Sequence, residues 1–147
     1  MKLFLDANIF IAACGSEKGG SRYLFRIAEQ DSNVSLFSNA YALAEAEVNI
    51  SKKMPEKINL FSHLKSLSMV ILVHPAPPYL QFLARSFVPL KDVPILAGAL
   101  SAQVDSLCTL DKKDFHTKRV KELCASFGVT IAFPRDILIQ WRETQCG

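Results

Sequence analysis

Met1-Lys2-Leu3-Phe4-Leu5-Asp6-Ala7-Asn8-Ile9-Phe10-Ile11 opens the chain, and the rest is read from this stretch. An apolar run starts at the first residue and meets a bare carboxylate, Asp6. This predicts a buried strand that leaves the sheet on a charged group. Strand ends are where α/β folds place their chemistry. The carboxyl end of this strand is expected to run into Ala12-Ala13-Cys14-Gly15. A polar loop over 16–20 follows, where glycines break any helix.

Beyond it, short apolar strands alternate with segments of helical period. Helices are predicted from about 21, with Leu24, Ile27 and Ala28 on one face, and from a Ser38 or Asn39 cap through about 52. Further helices are predicted over 55–67, 79–87, from Asp92 to about 104, over 117–127, and after Pro134. Strands fall at 34–37, 70–73, 106–110 and 130–133. Of these, 70–73 reads as the most apolar, and 106–110 ends on Asp111. The helix after Asp92 is rich in small residues, Ala97, Gly98, Ala99, Ser101 and Ala102, so its axis can approach a sheet closely. The alternation predicts an α/β fold, a three-layer α/β/α sandwich around a central parallel sheet with right-handed crossovers.

The 147 residues suit one domain over 1–147 with a sizeable core. Half the residues are hydrophobic (50%) and 21% are charged, which argues against disorder and against a fibrous protein. Apolar runs such as Met69-Val70-Ile71-Leu72-Val73 fall far short of the roughly 18 residues of a membrane span. The amino-terminal stretch lacks the apolar core and small-residue cleavage site of a signal peptide, so the expected compartment is the cytoplasm. Cys14, Cys108, Cys124 and Cys146 share no metal-ligand spacing and read as reduced thiols. The formal charge of +3 permits an anionic partner without requiring one.

Three acids occupy corresponding places. Asp6 ends the first strand, Asp92 starts a helix and Asp111 ends the fourth strand. In a parallel sheet all strand carboxyl ends lie on one edge, so these distant residues can be neighbours in space. A further acid is expected from the helix that begins near Asn39, where Glu45 and Glu47 lie among small apolar residues. The two are about 200° apart around a helix, so at most one faces the cluster, and periodicity does not choose between them. Taken singly, Asp92 could be a helix cap, Asp111 a turn residue and either glutamate a solvated charge. Their joint placement favours a site. Converging carboxylates repel unless a cation lies between them, and oxygen-only ligands select a hard ion, Mg²⁺ or Mn²⁺.

Four blocks then carry a family resemblance. They are Leu5-Asp6-Ala7-Asn8-Ile9; Leu43-Ala44-Glu45-Ala46 with Asn49-Ile50; Lys91-Asp92-Val93-Pro94-Ile95-Leu96-Ala97-Gly98-Ala99-Leu100; and Thr109-Leu110-Asp111-Lys112-Lys113-Asp114-Phe115. In this order the chain resembles a PIN domain, and most closely the ribonucleases typified by VapC toxins. The resemblance implies Asp6, Glu45, Asp92 and Asp111 as the acids of the site, with Glu47 as the fallback for Glu45. It implies Asp6, Asp92 and Asp111 as metal ligands, and Asn8, Thr109 and Asp114 in supporting places.

The same resemblance implies Mg²⁺- or Mn²⁺-dependent hydrolysis of RNA by a water nucleophile. It also implies an antitoxin protein that blocks the carboxylate edge, if the chain is a toxin, and a homodimer. Phosphate contacts are expected from Lys112, Lys113, Lys118, Arg119 and Lys121, with Lys18, Arg22 and Arg26 as further cations. His63, His74 and His116 are not spaced as a catalytic or metal-binding set. Three other readings use the same residues: a HAD-like phosphohydrolase, a PIN-fold scaffold without catalysis, and a nuclease acting on DNA. The first requires a second Asp two positions after Asp6, where this chain has Asn8.

Overall fold

A computed structural model describes residues 1–146 of the chain. The strands Lys2–Leu5 (β1), Ser35–Asn39 (β2), Ile71–Val73 (β3), Ser106–Cys108 (β4) and Thr130–Ala132 (β5) form one parallel sheet in the order β3-β2-β1-β4-β5. Between and after them run helices Ala7–Gly15 (α1), Gly20–Gln30 (α2), Ala40–Lys53 (α3), Ile58–Leu67 (α4), Pro78–Ala84 (α5), Val93–Ala102 (α6), Lys118–Ser126 (α7) and Pro134–Cys146 (α8). This is the three-layer arrangement that the alternating pattern predicts.

β1 is the central strand, and its sequence explains why. Leu3, Phe4 and Leu5 are all fully buried, as a strand covered on both faces requires. Because successive side chains alternate, Leu3 and Leu5 enter the core built on α1, α2, α3, α4 and α8. Phe4 enters the opposite core, built mainly on α5, α6 and α7. From β1 the sheet grows outward through β2 and β3, then the chain returns to the other side of β1 as β4 and β5. That reversal makes the carboxyl ends of β1 and β4 a topological switch point, where open α/β sheets form their crevice.

Two expectations need correction. Residues 7–15 are helical and do not continue the first strand towards Ala12. Asp6 has extended backbone and caps the helix, accepting a hydrogen bond from the Ala7 N–H at 2.7 Å. A continuous apolar run cannot distinguish a buried strand from a buried helix, and here both are present, joined at Asp6. β4 stops at Cys108, so Asp111 lies on the following loop. β3, the most apolar strand in sequence, forms a sheet edge with Ile71 and Leu72 46% and 58% exposed, since hydropathy fixes composition and not position in the sheet.

α6 sits unusually close to the sheet. A Cβ at Gly98 would meet Asn39 Nδ2 at 2.7 Å and Phe4 Cζ at 3.2 Å, so only glycine fits without displacing the Asn39 and Phe4 side chains. Asn39 in turn caps α3 through the Ala42 N–H at 2.9 Å and donates to the Pro94 carbonyl at 3.1 Å. One side chain at the end of β2 therefore fixes the starts of both α3 and α6, and with them the positions of Glu45 and Asp92.

Candidate active site

Asp6 leaves β1 into the switch-point crevice and is only 6% exposed. Its carboxylate is held by three donors: the Ala7 N–H at 2.7 Å, the Thr109 hydroxyl at 2.8 Å and the Asn8 amide at 3.3 Å. Asn8 also spans the two strand ends, donating to Thr109 Oγ1 at 3.2 Å and accepting from the Leu110 N–H at 3.1 Å. Thr109, fully buried, accepts a further hydrogen bond from the Asp111 N–H at 3.1 Å. Burial still dominates. It raises the Asp6 pKa to about 6 despite the hydrogen bonds from Thr109 and Ala7, with the charges of Glu45 and Asp111 adding to the rise.

Asp92 enters from the start of α6, on a short 3-10 turn, Leu90–Asp92, and has a different environment. Its Oδ2 is buried without a hydrogen-bond partner, the one such side-chain oxygen or nitrogen among the described residues. Carboxylate oxygens of Asp92, Asp111 and Asp114 lie within 4.8 Å of one another. Burial, then a hydrogen bond with Asp114 that favours the protonated form, raise the Asp92 pKa to about 7. Lys91 opposes that rise. Its ammonium stands 4.0 Å from Asp114 but is 71% exposed, so the pair is weak. A buried carboxylate oxygen without a donor costs free energy that a hard cation would offset, and all the nearby donors are oxygens.

Asp6, Asp92 and Asp111 line one open cleft of about 390 Å³, together with Asn8, Glu45, Asn49 and Lys91, while Asp114 stands behind Asp92 and Asp111 and off the lining. Glu45 stands on its wall and Glu47 does not, which orients α3 where helical periodicity left two possibilities. Sequence reasoning misses Lys91 and Asn49 as site residues. Their adjacency to Asp92 and Ile50 within the family blocks is the signal that could have found them. Tyr41 ties α3 to the Asp92 turn by donating to the Lys91 carbonyl at 2.8 Å.

The expected basic residues separate. Lys112 lines a neighbouring pocket that shares Leu110 with the acidic cleft. Lys113 is exposed on the same loop. Lys118 is 3.9 Å from Glu122 on the surface of α7. Arg119 donates to the Ser86 carbonyl at 3.1 Å and lies 4.8 Å over the Phe87 ring, away from the cleft lining. Arg22 and Arg26 are committed to the Ala13 and Glu17 carbonyls that brace the α1–α2 connection. His116 has a supporting geometry: its Nε2 meets the Thr109 carbonyl at 2.8 Å, and its ring stacks on Phe133.

No family model matches the chain, and no curated protein matches it in sequence. Among solved structures it is similar to a chain of the crystal structure of VapBC2 from Rickettsia felis bound to a DNA fragment from their promoter. The TM-score is 0.68 at 16% identity, covering 90% of this chain and 98% of the other. At that identity the shared property is architecture. This chain has the fold of that VapBC2 chain, the PIN-like fold that its four sequence blocks resemble.

Proposed function

We propose that residues 1–147 form a single PIN-like domain that hydrolyses RNA phosphodiesters with Mg²⁺ or Mn²⁺, as the toxin of a toxin–antitoxin pair in the cytoplasm. The observation that carries this reading is the partnerless buried oxygen of Asp92 beside Asp111 and Asp114. Asp92, Asp111 and Asp114, whose carboxylate oxygens lie within 4.8 Å of one another, would hold the ion, with Asp6 and Glu45 facing it from the cleft wall. When bound, the cation supplies an activated water and neutralises charge on the scissile phosphate.

The remaining work falls to the chain itself. Thr109 and Asn8 orient the Asp6 carboxylate before any ligand arrives. Lys91, the one lysine or arginine on the cleft wall, offers a positive charge to a phosphate oxygen. Asp92 must lose its proton for a cation to bind. Asn8 stands where a covalent phosphohydrolase would need a second aspartate, and its amide is engaged by Asp6 and Thr109, so a phosphoryl-enzyme route is disfavoured. The VapBC2 likeness supports an antitoxin as partner, and a homodimer fits the same class. No helix of the described residues is long and apolar enough to cross a membrane.

The test is cleavage of a single-stranded RNA, with a DNA strand of matched sequence, in Mn²⁺ and in EDTA. Mn²⁺-dependent cleavage of the RNA that falls by about 100-fold or more in Asp92→Asn is expected, since several kcal/mol of charge stabilisation would be lost. Equal cleavage by wild type and variant would remove the site, and cleavage of DNA alone would change the substrate.

A further inference from the structure

Across Leu110 from the carboxylates lies a second cavity, of about 330 Å³, with the opposite character. Its walls include Ser21, Leu110, Lys112, Phe133 and Arg135. Phe133 is a rigid platform. The His116 ring stacks on it at 3.7 Å between centroids and 3° between planes, while His116 Nε2 is fastened to the Thr109 carbonyl. Two cations lie over the same ring, Arg135 at 5.2 Å and Lys112 at 6.0 Å from its centroid, and Arg135 also stands 3.9 Å from Asp136. Thr109, which carries this platform through His116, also holds Asp6 through its hydroxyl. The platform and the acidic cleft are thus parts of one framework.

The floor of the cavity is the amino end of α2. Gly19 caps it without a side-chain hydrogen bond, so the first N–H groups of the helix have no side-chain acceptor there. Ser21, only 6% exposed, lines the cavity from the first turn of that helix. A helix amino terminus and the two cations Lys112 and Arg135 on one cavity wall together suit an anion. The half-buried Phe133 ring beside them, with its stacked His116, suits contact with an unpaired base. The acidic cleft has Lys91 alone to receive phosphate charge, so a polyanion approaching it needs cations from a neighbouring surface.

We propose that this cavity binds the nucleotide adjacent to the scissile phosphodiester of single-stranded RNA. Its base lies against Phe133, and its phosphate meets Ser21, Lys112, Arg135 and the amino end of α2. The proposal rests on the nuclease reading above. It makes the cavity a determinant of which RNA is bound, separate from the carboxylates that act on the bond. A duplex is disfavoured because its bases are not free to reach an aromatic platform.

Binding and cleavage are measured separately to test it. Affinity for a fluorescent single-stranded oligoribonucleotide is determined by anisotropy in EDTA, across a salt series. The proteins are wild type, the double variant Lys112→Glu/Arg135→Glu, and Phe133→Leu, with melting curves as controls for folding. The double variant should bind at least about 10-fold more weakly, with the slope of log affinity against log salt reduced by about 0.7 for each phosphate that is no longer neutralised. Phe133→Leu should weaken binding without changing that slope, since it removes stacking and no charge.

In Mn²⁺, the double variant should then cleave with a raised KM relative to wild type. Unchanged affinity and salt slope in a folded double variant overturn the proposal, and wild-type cleavage in the same samples leaves the nuclease reading standing. Variant-sensitive RNA binding with no Mn²⁺-dependent cleavage supports the cavity as an RNA site and overturns the nuclease reading instead. Variant-sensitive binding of a glutamate-rich peptide with no RNA binding makes the cavity a protein-docking surface and overturns the proposal.

Discussion

The two halves of the acidic cleft are built on opposite terms. Around Asp6 the fold supplies its own donors, from Ala7, Asn8 and Thr109. Around Asp92 it supplies further carboxylates and leaves one oxygen without a donor. Both pKa values are raised mainly by burial, yet hydrogen bonds from Thr109 and Ala7 lower that of Asp6, whereas the hydrogen bond with Asp114 raises that of Asp92. The Asp6 half is complete as protein, and the Asp92 half is complete only with a proton or a cation. A strand end can therefore be preorganised while the helix start facing it remains open to a ligand.

The largest expected effect breaks the open half. Asp92→Asn lowers Mn²⁺-dependent RNA cleavage by ~100-fold or more, while melting curves show the protein folded. In the absence of metal its melting temperature should rise, because a neutral amide removes repulsion with Asp111 and Asp114. A lower metal-free melting temperature would contradict this contrast.

A smaller effect is expected from the complete half. Thr109→Val removes a hydroxyl that donates to Asp6 and accepts from Asn8 and the Asp111 N–H. The loss of stability should be ~1–3 kcal/mol, from polar groups left unpaired in a buried site, and chemical denaturation measures it. A neutral result would mean that water replaces the hydroxyl and that the preorganisation of Asp6 is overstated.

The pH dependence of stability sharpens the comparison further. Asp6 and Asp92 have folded-state pKa values of about 6 and about 7, above the ordinary 3.8. Between those values the folded protein binds more protons than the unfolded chain, so stability falls as pH rises through this window. Melting temperatures in EDTA should decline from about pH 4 to about pH 7 by this contribution, with the Asp92 share removed in Asp92→Asn. The same slope in that variant would place the titration elsewhere.

The convergence of acids was legible in the sequence because it depends on topology. Alternating segments predict a parallel sheet, and a parallel sheet brings Asp6 and Asp111 to one edge. The helix α1 was not legible, since Ile9 and Phe10 prolong the apolar run of β1 and the capping role of Asp6 appears only in its backbone geometry. Helical periodicity could not separate Glu45 from Glu47, and only the family resemblance favoured Glu45, because the choice depends on how α3 is rotated, which Asn39 and Tyr41 set through hydrogen bonds to distant residues. The exposed edge of β3 and the pocket role of Ser21 depend likewise on what lies beside them in space. Charged residues on one helix, such as Lys118 and Arg119, share a sequence neighbourhood but not a destination.

Titration of Mn²⁺ into metal-free protein, followed by calorimetry or by the electron paramagnetic resonance of free Mn²⁺, tests most directly whether Asp92 marks a cation site. Wild type at pH 7.5 should bind Mn²⁺ saturably, and Asp92→Asn should bind at least about 10-fold more weakly, consistent with loss of a charged oxygen ligand. Binding should also weaken as pH falls below about 7, where Asp92 takes up its proton. Equal Mn²⁺ affinity in the two proteins, or no saturable binding by wild type, would contradict a cation site at Asp92.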